Sequence, residues 1–293
     1  MSKLRIAVIG ANGQLGTDLI KVFSKDSAMQ LFPLIHKDID IVDKNITKHA
    51  LDLIRPDIVI NTAAYHRVND CETNIDKAFL VNAFAQKNLA EYCSQRNSVL
   101  VYISTDYIFG LDKKKTTPYK ETDSPGPLNV YGLSKLTGEY FTRYICKKYF
   151  ILRSSGLFGF KGSSLKGGNF VETMLKLAHE KRDVRVVNDQ FLTPTYTVDL
   201  AKQIHKLIKT DNYGIYHAAA LGECSWYSFA KEIFRITNTK VSLMPITSKE
   251  YYTPAKRPLY SVLGNENLNN LNLNIMTDWR IGLKKYLVEK SYI

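Results

Sequence analysis

The first sixteen residues limit the architecture more than any other stretch. Leu4–Ile9 is a continuous apolar run that ends in Gly10-Ala-Asn-Gly13-Gln-Leu-Gly16, and an amphipathic segment follows to about Lys25. A buried strand that turns through glycines into a helix leaves backbone N–H groups at the helix N-terminus. Those donors and the helix dipole suit a pyrophosphate, and glycine lets it approach the backbone closely. A ligand-free strand–helix turn is the plainer alternative. The alternation then continues, with apolar strands expected near 31–35, 57–61, 99–103 and 150–152 and helices across 47–54, 74–94 and from 131. Such a pattern implies an α/β fold, a Rossmann-like doubly wound parallel sheet over residues 1–155. Beyond Arg153 the pattern loosens, and residues 156–293 read as a smaller, interleaved C-terminal lobe, with part of 184–217 returning to the Rossmann sheet.

No uninterrupted apolar run reaches 18 residues, so no membrane-spanning helix is expected. The net charge of +12 admits nucleic acid, an anionic surface or an acidic small molecule as partner. The densest basic run, Lys113-Lys114-Lys115, is short and has no interleaved aromatics. It reads as a solvated loop, so the basicity points to anionic ligands such as a dinucleotide and a sugar nucleotide, with no nucleic acid and no membrane as partner. Cys71, Cys93, Cys146 and Cys224 are scattered without Cys-x-x-Cys spacing, which suits free thiols in the cytoplasm and no metal site.

The second strand ends in His36-Lys37, where an NAD-selective site places an acid for the ribose 2′-hydroxyl; Asp38 comes two residues late. Cations there suit a 2′-phosphate, hence NADP with NAD still open, and an exposed turn is the alternative. The third strand ends in Asn61-Thr-Ala-Ala64-Tyr65, small enough for a flat cofactor to lie against the backbone or for tight helix packing. The fourth ends in Ser104-Thr105-Asp106-Tyr107, whose hydroxyls could hold a substrate oxygen or cap a turn. Tyr131 and Lys135 follow at helical spacing, four residues apart on one face. An ammonium fixed beside a phenol favours phenolate and draws its pKa from about 10 toward the working range. Tyr-x-x-x-Lys alone is also a common surface pattern.

The ordered set of motifs resembles the dTDP-4-dehydrorhamnose reductase family of the extended short-chain dehydrogenase/reductase superfamily. It runs through Gly10–Gly16, Pro56–Ala64, Ile103-Ser-Thr-Asp-Tyr-Ile-Phe109 and Pro127–Lys135 to Asn188–Thr195 and Thr253-Pro-Ala-Lys-Arg-Pro258. The resemblance implies that Thr105, Tyr131 and Lys135 act on the C4 ketone of a nucleotide-linked 4-keto-6-deoxy sugar. Tyr131 would give the proton, Thr105 would hold the ketone oxygen, and Lys135 would hold the nicotinamide ribose. Asp106 would face the sugar. Asn12, Gly13, Gln14, Leu15, Asp40, Ile41, Ala63, Ala64 and Tyr65 match the family's cofactor contacts, and Arg257 its substrate-lobe motif. The resemblance also leaves Mg2+ and a homodimer open.

Two features test the resemblance. Some members carry a Trp against the sugar where this chain has Gly156, so the Gly167-Gly-Asn169-Phe170 loop is the expected replacement contact. Thr105 is followed by Asp106-Tyr107 and not by the Asp-Glu of nucleotide-sugar dehydratases; epimerases stay open. The regulatory subunit of methionine adenosyltransferase is similar as well, binds a dinucleotide and is not catalytic. Retention of Thr105, Tyr131 and Lys135 favours an enzyme.

Overall fold

The computed structural model describes residues 3–162 and 168–293. The chain opens with β1 (Leu4–Ile9), α1 (Gln14–Phe23), β2 (Met29–Leu34), α2 (Lys44–Ile54) and β3 (Ile58–Asn61). Two short helices, α3 (Val68–Thr73) and α4 (Ile75–Phe79), lead through a π-helical turn at Leu80–Phe84 into α5 (Ala85–Arg96). Next come β4 (Val99–Thr105), α6 (Val130–Ile145), β5 (Tyr149–Ser154), β6 (Leu157–Phe158) and α7 (Phe170–Glu180). The remainder is β7 (Asp183–Val187), β8 (Phe191–Leu192), β9 (Thr195–Tyr196), α8 (Thr197–Leu207) and β10 (Gly214–His217). It ends with β11 (Cys224–Ser225), α9 (Trp226–Ile236), β12 (Ser242–Ile246), α10 (Glu266–Asn270) and α11 (Trp279–Glu289).

Six strands form one parallel sheet in the order β10-β5-β4-β3-β1-β2, the doubly wound arrangement expected from the alternation. Both faces are covered, which is why its strands read as unbroken apolar runs. Ile6, Val8, Ile58, Ile60, Val101 and Ile103 face α1 and α8, while Ala7, Ile9, Val59 and Leu100 face α2 and α5. Alternate residues thus feed opposite cores, as the period of a strand requires. Helix α8 packs on α1, and β10 takes the edge position beside β5, so this part of the second half lies with the sheet. β7 does not: it pairs in parallel with β12 and belongs to the lobe. The lobe core is Phe158, Val171, Val184, Phe229, Trp279 and Tyr286 with their neighbours.

The helix expected across 74–94 is three segments. Its π-turn places Asn82 in the core, where the Asn82 carbonyl accepts from the Tyr102 hydroxyl at 2.9 Å. A π-turn frees backbone groups from the α-helical ladder, and here one is used across elements.

Candidate active site

The carboxyl end of β4 and the turn after it pack against the first turn of α6. That helix starts where Asn129 caps it, its side-chain oxygen accepting from the Gly132 amide at 2.8 Å. Glu72 accepts from the Val130 amide at 2.8 Å, placing a carboxylate at the positive helix end. Tyr131 therefore sits in the first turn, with Lys135 one turn on and Glu139 a further turn along the same face.

Lys135 is 2% exposed, and its ammonium donates to the Ile103 carbonyl at 2.6 Å, two residues before Thr105. Burial pulls its pKa down to about 7, against the pull of nearby Glu139 in the other direction. Thr105 ends β4; its hydroxyl accepts from the Tyr107 amide at 3.2 Å and donates to Asp106 Oδ1 at 3.1 Å. The structure thus ties Lys135 to the strand that ends in Thr105, with Tyr131 one turn earlier on the same helix face.

The electrostatics correct one expectation. Burial raises the Tyr131 phenol above its ordinary value, and the neighbouring Thr105 hydroxyl, not an ammonium, is the largest opposing influence. The ammonium donates to the Ile103 carbonyl, and burial holds Tyr131 as a neutral donor.

Asp106 is 3% exposed, and its Oδ2 accepts from Ser155 Oγ at 2.9 Å and Ser261 Oγ at 2.6 Å. With Thr105 on Oδ1, three hydroxyls occupy the carboxylate that the resemblance turned toward the sugar. Burial lifts it to about 6 although those hydroxyls hold it down.

Toward the cofactor end, Gly10 adopts φ +79°, and a Cβ there would lie 2.6 Å from Thr62 Oγ1. Gly13 heads α1 without a side-chain cap, Leu15 and Gly16 are buried beneath the turn, and Asn12 is exposed. Gln14 donates to the Leu157 carbonyl at 3.0 Å, while its Oε1 is buried without a partner. His36 and Lys37 are exposed in the turn after β2, and Asp38 accepts from the Ile35 amide at 2.9 Å, so its carboxylate shapes that turn. The Asp40 carboxylate accepts from the Val42 amide at 3.1 Å, and Ile41 is buried. Ala63, Ala64 and Tyr65 are half-buried. Asn82 clamps Tyr65 through its amide and carbonyl, at 2.9 and 3.0 Å, and reaches Ser134 of α6 at 3.0 Å.

Arg257 donates to Asn69 Oδ1 at 3.3 Å, and its Nε is buried without a partner. Gly156 has φ +55°, and a Cβ would lie 2.8 Å from Leu192 Cδ1, so backbone conformation and crowding both account for glycine where a Trp was the comparison. In the expected replacement loop, Asn169 and Phe170 are engaged within the protein. Both Asn169 amide protons are used, on the Gly159 carbonyl at 3.1 Å and the Tyr286 hydroxyl at 2.9 Å, while its oxygen caps α7. Phe170 packs on Trp226 and Phe229 in the lobe core. Gly167 lies outside the described residues.

Sequence reasoning did not find Ser155 and Ser261, which reach Asp106 from positions far along the chain. Glu139 was within reach, since it continues the Tyr131–Lys135 spacing by four. Among the described residues no cluster of three or more His, Cys, Asp or Glu could hold a metal ion. Nor is any described helix long and apolar enough to cross a membrane.

Comparison with known proteins agrees with this geometry. The family described as the RmlD substrate binding domain matches residues 4–292. The spore coat polysaccharide biosynthesis protein SpsK of Bacillus subtilis is 39% identical, over 98% of each chain. The dTDP-4-dehydrorhamnose reductase of Escherichia coli is 32% identical, again over 98% of each. A crystal structure of dTDP-4-dehydrorhamnose reductase from Bacillus anthracis in complex with NADP superposes with a TM-score of 0.92 at 39% identity, covering 98% of this chain and 99% of that one. With the fold, the strand-end triad and these relatives in agreement, the chain belongs to the dTDP-4-dehydrorhamnose reductase family.

Proposed function

We propose that this protein reduces the C4 ketone of a nucleotide-linked 4-keto-6-deoxy sugar, converting dTDP-4-dehydro-L-rhamnose to dTDP-L-rhamnose with NADPH, for polysaccharide precursor synthesis. The observation that carries the reading is the assembly of Thr105, Tyr131 and Lys135 at the carboxyl end of β4, one strand removed from the glycine turn after β1. The NADP-bound Bacillus anthracis reductase and the polysaccharide role in the SpsK name support it.

The residues present fit the cofactor. Gly10, Gly13 and the first turn of α1 offer a pyrophosphate cradle, the orphaned Gln14 Oε1 lacks a donor, and His36 and Lys37 suit a 2′-phosphate. When bound, NADPH supplies the hydride to the ketone carbon. Tyr131, kept neutral by burial, gives its phenolic proton to the ketone oxygen. Thr105 holds the same oxygen, and Lys135, pinned to the strand, places its charge one turn from the phenolate that forms. Arg257 offers a guanidinium to the diphosphate.

The test follows the fall in NADPH absorbance on adding dTDP-4-keto-6-deoxy sugar. Turnover by the native chain is expected, with kcat reduced about a hundred- to ten-thousand-fold in Tyr131→Phe. No oxidation by the native chain, or a Tyr131→Phe rate close to native, refutes the reading.

A further inference from the structure

The Thr105 hydroxyl has one proton and several claimants. In the structure that proton goes to Asp106 Oδ1 at 3.1 Å, while the oxygen accepts from the Tyr107 amide at 3.2 Å. A hydroxyl engaged this way cannot also donate to a ketone oxygen. Asp106 Oδ2 is filled by Ser155 from the end of β5 and Ser261 from the C-terminal segment, so the carboxylate cannot rotate away without breaking both bonds.

We propose that Asp106 is a positioning residue that sets the direction of the Thr105 hydroxyl. Ionised, it holds the Thr105 proton to itself. Neutral, it donates its own proton from Oδ1 to Thr105 Oγ1, and the Thr105 proton is released toward the ketone oxygen. Ser155 and Ser261 donate to Oδ2 in both states and keep the proton on the Thr105 side.

The surroundings make the switch reachable. Burial raises the Asp106 carboxyl to about 6. The ionisable groups facing it are Tyr107 on the following turn and Tyr131 on α6, both neutral because burial raises them, with the Arg257 guanidinium near Tyr107. Expelling water on ligand binding favours the neutral carboxyl further. The carboxamide of Asp106→Asn copies the neutral state: its oxygen can accept from Ser155 and Ser261 while its N–H donates to Thr105.

This inference rests on the ketone-reductase reading, and its test separates the two. kcat is measured from pH 5 to 8 for native protein, Asp106→Asn and Thr105→Val. The native rate should fall about tenfold per pH unit above the Asp106 pKa, as for a single required proton. That limb should vanish in Asp106→Asn, which keeps a rate near the acid-side native value. It should vanish in Thr105→Val too, at a lower rate, because Asp106 acts only through that hydroxyl. A limb that persists in either variant, or an Asp106→Asn that folds natively yet stays inactive at every pH, overturns the inference and leaves the reductase reading standing. Should Asp106→Asn fail to fold, Thr105→Val alone decides. An inactive native chain overturns both.

Discussion

Lys135 holds its ammonium 3.9 Å from the centre of the Tyr102 ring, inside the protein rather than at its surface. The ring face and the Ile103 carbonyl are what it receives in exchange for water.

That exchange is incomplete, which gives the first prediction. The folded pKa of about 7 lies below the ordinary value near 10.4. The unfolded chain therefore binds the proton more tightly. The resulting destabilisation is full below pH 7 and is relieved as pH rises toward the unfolded value. Denaturant unfolding should show Lys135→Met gaining stability over the native chain at pH 6.5 and losing most of that advantage by pH 9.5. An equal gap at both values would mean that Lys135 is not buried as a charge.

The turn after β2 should govern cofactor choice. His36 and Lys37 are exposed there, and Asp38 accepts from the Ile35 amide through Oδ2. kcat/KM should favour NADPH over NADH, and Lys37→Ala should cut that preference roughly tenfold or less, since an exposed pair contributes at most about 1 kcal/mol. A native preference for NADH, unchanged in the variant, would contradict this.

Arg257 should act on one ligand only. A lost charged hydrogen bond costs about 1.5–3 kcal/mol, so Arg257→Ala should raise KM for the sugar nucleotide roughly ten- to hundred-fold and leave KM for NADPH nearly unchanged. Equal changes in both would make Arg257 a strut between the 67–70 and 253–258 segments through Asn69.

Behind the site, Arg153 and Glu139 form an ion pair, 3% and 1% exposed, at 2.7 Å, joined by Ser104 at 2.5 Å and by His217. Burial, helped by the neighbouring guanidinium, takes His217 down to about 3, so it stays neutral beside Arg153. Arg153→Met strands Glu139 in the core and should cost about 3–5 kcal/mol in unfolding free energy. A loss below about 1 kcal/mol would show that Glu139 is neutralised or hydrated in the variant.

The sheet half and the Tyr131–Lys135 pair could be read from the chain because both depend on local spacing. A β-strand alternates every two residues and a helix returns every four, so Ile6–Val8 and Tyr131–Lys135 announce themselves within a few positions. The lobe could not be read this way. β7 meets β12 across a gap of more than fifty residues, and Ser261 reaches Asp106 from 155 residues away, with no local signature at either end. Asn169 was legible only in part for a related reason. Its cap geometry was visible as Asn-x-x-Glu, but the two further acceptors that exhaust its amide come from Gly159 and Tyr286. The phenol expectation failed because helical spacing gives proximity in sequence, whereas pKa depends on how much water the fold removes.

The edge strand β10 arrives only after the chain has left the sheet at β5 and travelled through the lobe. During synthesis the nascent chain must therefore carry an unfinished sheet until residues 214–217 emerge, with the β5 edge unpaired and the face that α8 covers open to solvent. Loop closure over so long an excursion is slow, and an exposed parallel edge invites pairing with other chains. A chain stopped at residue 155 would leave the β5 edge, which β10 covers in the whole protein, unpaired.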